Sequence, residues 1–147
     1  MGAYRNGMKH GYGIYNWLDK SVFQGDWVEN MITGNGKYSW EDGRVYIGQW
    51  LQNDMHGQGI YKWPDGRSYA GNFHLDKKHG YGVYKFADGR CYKGYFRNGL
   101  QHGTGIYTIS AGKQRKGEWA DGEVRWLDEN DNSGQFMSAS ASLQSMN

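Results

Sequence analysis

Four histidines, His10, His56, His79 and His102, fall in one column of a sequence that repeats every 23 residues. Imidazoles in register suggest a metal ladder. If each repeat advances two strands, successive members stand about 9.6 Å apart. Ligands on one zinc ion lie within roughly 4 Å of each other. The spacing forbids a shared ion, so the expected role is local: an imidazole that closes a turn by bonding a carbonyl beside Gly57-type positions. No metal site and no cofactor is expected.

Other chemistry fails in the same way. The pairs Gly11/Gly13, Gly34/Gly36, Gly57/Gly59, Gly80/Gly82 and Gly103/Gly105 resemble the start of a phosphate loop. The third glycine is absent, with Asn16, Ser39, Lys62, Lys85 and Thr108 in its place, and no helix follows to aim amides at a phosphate. Asp42, Asp65 and Asp88 each precede glycine and read as turn formers, not as paired acids. Cys91 has no histidine partner signalled around it, and no nucleophile elbow is present. No catalytic residue is assigned, and the chain is expected not to be an enzyme.

The elements that carry these residues are strands. The stretch Tyr46-Ile-Gly48-Gln-Trp50 alternates ring or glycine with mostly polar residues, and Gly57-Gln-Gly59-Ile-Tyr61-Lys-Trp63 does so again; both have the period of two that strands require. Phe23, Tyr69 and Tyr92 fill the Tyr46 column, and Trp17, Trp40 and Phe86 fill the Trp63 column. Each repeat is therefore a β-hairpin, and the chain is an all-β meander of tandem hairpins. A fixed period of this length marks a stacked repeat architecture.

Two turns separate the strands. One column holds Gly7, Asn30, Asn53, Asp76 and Gly99, residues that tolerate positive φ, which is expected there. The other turn carries Asp42-Gly43, Asp65-Gly66 and Asp88-Gly89, read as tight reversals between strands. Glycine inside a strand needs its own reason, because it packs nothing and loses more entropy than other residues. A large ring lying flat over the bare backbone supplies one. Tyr, Trp and Gly then form one interlocking face, and rings rather than aliphatics make the core: 16% of residues are aromatic while mean hydropathy is −0.91.

Tyr-x-Gly-x-Trp, a polar turn, His-Gly-x-Gly and Asp-Gly-Arg together resemble the MORN (membrane occupation and recognition nexus) repeat. The resemblance covers residues 2 to about 127. The closing Gly117–Trp126 segment is similar to the degenerate last unit of MORN arrays in protist cytoskeletal proteins. The resemblance implies an elongated, twisted, single-sheet β-solenoid with an aromatic-lined groove, used for protein scaffolding and for phospholipid binding, and not itself catalytic. It points to a cytoskeletal or ciliary setting.

Residues 1–127 are expected to form the array: a partial first repeat, complete repeats from Phe23, Tyr46, Tyr69 and Tyr92, and a degenerate last unit from Arg115. Five repeats of two strands make a ribbon on the order of 50 Å long. The chain enters mid-strand, which favours a longer array upstream over an edge paired with a partner. Residues 128–147 are polar and serine-rich, expected to be a frayed terminus rather than a phosphorylated tail, with a short helix over Phe136–Met146 as its one candidate element. A single cysteine, no apolar run near 18 residues and no signal-peptide pattern point to the cytosol, soluble or peripheral.

Two surfaces are candidates for function. A single curved sheet cannot cover all its rings, so Trp17, Trp27, Tyr38, Trp40, Trp50, Tyr61, Trp63, Phe73, Tyr84, Phe86 and Tyr107 form the candidate partner groove, suited to a helix or an extended segment. Charge is also uneven. Residues 62–116 hold eleven Lys or Arg against three Asp, a net of +8, while the flanking stretches are −1 and −5. Lys62, Arg67, Lys77, Lys78, Lys85, Arg90, Lys93 and Arg97 are the candidate lipid-headgroup residues, provided they share a face. No nucleic-acid module is recognisable. The first reading is a non-catalytic scaffold in a cytoskeletal or ciliary assembly. The others are a peripheral module for phosphoinositide or phosphatidic acid, and the targeting region of a larger enzyme.

Overall fold

The structure, a computed structural model, describes residues 2–109, 112–127 and 136–138. Every element is a strand: β1 (Gly2–Arg5), β2 (Met8–Asn16), β3 (Val22–Val28), β4 (Met31–Ser39), β5 (Val45–Leu51), β6 (Asp54–Lys62), β7 (Ser68–His74), β8 (Lys77–Lys85), β9 (Cys91–Arg97), β10 (Leu100–Thr108), β11 (Gln114–Ala120), β12 (Glu123–Trp126) and β13 (Met137–Ser138). They form one open antiparallel sheet in strict sequence order. The all-β, single-sheet meander of hairpins expected from the period is the observed fold.

The turn that closes each repeat's first hairpin has positive φ at two successive residues. Gln52 and Asn53 have φ of 46° and 72°, and Leu75 and Asp76 have 47° and 69°. This is the type I′ geometry whose twist matches that of paired strands. The turn also hooks onto the repeat before it: Asn53 N donates to the Ile32 carbonyl at 2.9 Å, and Asn53 Oδ1 accepts from Ile32 N at 2.9 Å. Asp76 binds Met55 in the same way, at 3.0 and 2.7 Å.

The Asp-Gly reversal between strands is a three-residue loop. Trp40 N donates to the Arg44 carbonyl at 2.9 Å and Gly43 N to the Trp40 carbonyl at 3.1 Å. The loop therefore spans Glu41, Asp42 and Gly43, with only Gly43 in the left-handed region, at φ 97°. A three-residue loop ending in a left-handed glycine is the standard longer hairpin connection. It leaves the aspartate free to fold back on the following arginine.

The two glycines of each Gly-x-Gly pair serve different ends. Gly48 pairs with Gly59, and Trp50 with Met55, so between these pairs one residue of β5, Gln49, stands against three of β6, His56, Gly57 and Gln58. The surplus forms a bulge that contains Gly57 at φ 80°, and bulges of this kind bend a sheet. Gly59 instead lies beneath a ring: a Cβ there would stand 2.4 Å from Tyr46 Cε2. Phe23 covers Gly36, Tyr69 covers Gly82 and Tyr92 covers Gly105 in the same manner.

Beyond residue 127 the structure corrects one expectation. Met137 and Ser138 pair with Val124 and Glu123, adding a strand where a helix was expected to begin. The physical reason is twofold: the outer edge of β12 offers unpaired backbone groups, and Met137 packs against the ring core beside Val124. Residues 128–135 and 139–147 lie outside the described residues.

Candidate functional site

All the core rings project from one face, where they form two rows. The inner row is a zigzag of edge-to-face contacts: Trp27 on Phe23 (5.4 Å, 88°), Phe23 on Trp50 (5.6 Å, 88°), Trp50 on Tyr46 (5.0 Å, 85°), Tyr46 on Phe73 (5.2 Å, 90°), and onward through Tyr69, Phe96 and Tyr92 to Trp119. Edge-to-face geometry sets the positive rim of one ring against the negative face of the next. Tyr46, Tyr69 and Tyr92 are wholly buried, and their hydroxyls donate to the carbonyls of Gln49, Asn72 and Tyr95 at 2.8, 2.7 and 2.9 Å. Burial raises the pKa of all three phenols well above the usual tyrosine value.

The outer row runs Trp17, Tyr38, Trp40, Tyr61, Trp63, Tyr84, Phe86, Tyr107, with centroids 4.5 to 5.8 Å apart. The eleven groove candidates therefore divide. Trp27, Trp50, Phe73, Tyr61 and Tyr107 are buried core, each packed against a ring of the preceding repeat: Trp17, Phe23, Tyr46, Trp40 and Phe86 respectively. Trp17, Tyr38, Trp40, Trp63, Tyr84 and Phe86 are half-buried and open to solvent along one ribbon.

Arginines are set along that ribbon in a fixed way. Asp42 accepts from Arg44 N at 3.0 Å and from Arg44 Nε at 2.7 Å, and the guanidinium lies over Trp40 at 4.8 Å while Nη1 donates to the Tyr61 hydroxyl at 2.9 Å. Arg67 repeats this with Asp65, over Trp63 at 4.9 Å, and Arg90 ion-pairs with Asp88 over Phe86 at 5.0 Å. The three carboxyls sit below the ordinary aspartate range. The bond from the next arginine's backbone is the main cause at Asp42 and Asp65, and the Arg90 side chain is at Asp88. Arg67 and Arg90 are therefore engaged by aspartate and ring.

The remaining headgroup candidates do not share one face. In registered pairs, Lys62 stands opposite Ser68, Ser68 opposite Lys85, Val83 opposite Lys93, and Lys93 opposite Ile106. Opposed residues share a face, so Lys62, Lys85 and Lys93 project from the side away from the rings. Lys116, opposite Ile106, joins them. Lys77 is exposed opposite His74 at the turn edge, and Arg97 there is paired with Asp121 at 3.0 Å. Lys78 alone points into the ring face. The expectation of a single basic flank is replaced by a basic reverse face, a paired arginine ladder and one inward lysine. The cause is strand alternation, which sends Lys77 and Lys78 to opposite sides.

Lys78 occupies the column of Ile32, Met55 and Val124, inside the groove. Its ammonium lies 5.0 Å from the Tyr84 centroid, 5.6 Å from Phe96, 5.9 Å from Tyr69 and 6.0 Å from Trp63. Burial lowers its pKa, and the nearby charge of Arg67 lowers it further. A cavity of about 310 Å³ opens on one side, lined by Phe86, Leu100, Trp119 and Trp126 among others. A second, of about 250 Å³, opens on the other, lined by Met55, Tyr61, Trp63 and Phe73. Lys78 lines both.

Two of the four histidines in the column close turns, but as acceptors, while Nδ1 of His10 and of His56 is buried without a hydrogen-bond partner among the described residues. His79 Nδ1 accepts from Asn98 N at 3.4 Å and His102 Nδ1 from Asp121 N at 3.3 Å, while Thr33 Oγ1 accepts from Gln52 N at 3.0 Å in the same column. The expected bond to a carbonyl is thus reversed, because the type I′ turn of the next repeat presents an N–H there. His74, outside the column, joins His56 and His79 in a row of imidazoles at 5.1 and 5.4 Å. Among the described residues no group of three metal-ligating side chains forms a metal site.

The search of curated proteins found no significant match to the chain. The model of the MORN repeat matches it five times, over residues 1–22, 23–43, 46–66, 69–89 and 92–114. Those matches fall on the hairpins built above and span more than half of the sequence. The chain belongs to the MORN repeat family.

Proposed function

We propose that this chain is a non-catalytic scaffold that holds a partner helix along the outer ring row, in a cytoskeletal or ciliary assembly. MORN repeats are associated with protein-interaction scaffolds and with phospholipid binding, and this array offers a surface for the first. The observation that carries the reading is the row of six half-buried rings from Trp17 to Phe86, which runs over four repeats with the buried Tyr61 linking Trp40 to Trp63 and is flanked by two open cavities. Large rings in partly open pockets are the usual anchors of interfaces. A helix suits this face better than an extended segment. Ladder hydrogen bonds are spent between the strands, so an extended chain lying across the rings would leave its own backbone groups unpaired, whereas a helix satisfies them internally.

A Trp40→Ala/Trp63→Ala double variant tests it. Retention of the β-sheet spectrum with loss of the wild-type complex supports the reading. Retention of both contradicts it.

A second reading is supported by a separate observation. Lys62, Lys85, Lys93 and Lys116 project from the reverse face, interleaved with Ile60, Ala70, Val83 and Ile106. None of these lysines lies within ion-pair distance of a carboxylate among the described residues. An unpaired basic and aliphatic face fits the surface of an anionic membrane, leaving the rings free for protein.

A further inference from the structure

We infer that Lys78 is the anchor for a carboxylate on the bound helix, set between two apolar side chains that enter the cavities on either side. The inference rests on the ring-face reading above and specifies the chemistry of its partner.

The column is the starting point. Ile32, Met55 and Val124 show that an apolar side chain satisfies the fold at this position. Lys78 instead places an ammonium among four rings. Rings attract the charge but accept no conventional hydrogen bond. Among the described residues no carboxylate stands within ion-pair distance of it. Asp76, the acid lining the adjacent cavity, is committed to Met55 N at 2.7 Å.

Lys9 supplies the control within the molecule. It lies in the same column, over Tyr15 at 4.4 Å and Trp27 at 5.3 Å, and the space beside it is only about 20 Å³. There the cation and its rings fill their own site. At Lys78 the rings are the same kind, but volume for a ligand remains on both sides.

A phosphate-rich ligand does not suit the site, since Arg67 and Arg90 are held by Asp65 and Asp88. A single half-buried ammonium with apolar flanks matches a single carboxylate with apolar flanks. The cavities belong to neighbouring repeats, about 9.6 Å apart. A helix rising about 1.5 Å per residue covers that in roughly six or seven residues. The partner segment therefore carries apolar side chains at i and i+7, with Asp or Glu at i+3 or i+4.

A displayed library of helix-forming peptides, roughly 16 residues long so that one helix can form, is selected against the full chain. Binders are then measured on Lys78→Met and Lys78→Gln, residues this column already holds at Met55 and Gln101, and on Trp63→Ala. The expected result is an acid at a fixed position between two apolar residues, with affinity at least about tenfold weaker on both Lys78 variants and retained on Lys78→Arg. Binders that need Trp63 but share no acid, or that bind the Lys78 variants equally well, overturn the role of Lys78 and leave the ring-face reading standing. If no binder depends on Trp63, both fail.

Discussion

Tyr46 lays its ring over Gly59 so closely that a Cβ built on the glycine would stand 2.2 Å from the phenol oxygen. The ring cannot swing aside, because its hydroxyl is tied to the Gln49 carbonyl and Trp50 and Phe73 pack against it at right angles. One contact thus joins the strand pair within a repeat to the ring row between repeats.

Gly59→Val should therefore destabilise the array by about 1–3 kcal/mol, the usual cost of forcing atoms into a packed core. Gly57→Asn should cost less, because Asn tolerates positive φ and the nearest obstruction is the flexible end of Gln49. Urea unfolding followed by tryptophan fluorescence ranks the two. The reverse order would show that the ring does not rest on Gly59.

Alkali should unfold the protein through the buried phenols. Tyr46, Tyr69 and Tyr92 have pKa values raised by burial, so the folded state holds protons that the unfolded state releases. Their contribution is complete below about pH 10, the ordinary tyrosine value, and is lost as pH rises from there through the raised values. Replacing all three by Phe should cost about 1 kcal/mol per lost hydrogen bond at neutral pH and flatten the alkaline decline. Phe23, in the same column, shows that a ring without the hydroxyl packs there. An unchanged alkaline slope in the triple variant would refute the assignment.

The two ring rows should separate in mutagenesis. Trp50→Ala removes a buried ring whose indole also donates to the Gly36 carbonyl at 3.1 Å, and should cost about 3–5 kcal/mol. Trp40→Ala, at a half-exposed site, should cost well under that. Equal losses in thermal or urea unfolding would mean that the outer row is core as well, and unavailable to a partner.

Membrane binding, if the reverse face supplies it, should follow Lys62, Lys85, Lys93 and Lys116. Reversing these four to Glu should abolish low-salt co-sedimentation with phosphatidylserine vesicles, each Lys contributing about 1 kcal/mol near an anionic surface. Arg67→Gln and Arg90→Gln should leave it intact, because those cations are already paired. Binding lost through the arginines, and not through the lysines, would contradict the placement.

The hairpins and the rings over glycine are legible in the sequence, since a period of two within a period of 23 leaves few alternatives. Positive φ at Asn53 and Asp76 is equally legible, from residues that tolerate it. What is hidden is depth. Trp50 and Trp40 are the same residue type on the same face, yet Trp50 is buried among Phe23, Tyr38 and Tyr46 while Trp40 stays half-open. Arg67 reads as a free cation because its capture by Asp65 depends on a three-residue loop that Asp-Gly does not specify. Lys77 and Lys78 are adjacent in the chain yet face opposite sides, a consequence of register that net charge cannot reveal.

Photo-crosslinking from single positions in cells tests the central claim most directly. A photoreactive phenylalanine analogue replaces Trp63 on the ring face in one protein and Ile60 on the reverse face in another. The expected result is a protein adduct of defined mass from position 63 that disappears on adding Trp40→Ala, and no protein adduct above background from position 60. Protein adducts from position 60 alone, or from neither position, would contradict a partner held along the rings.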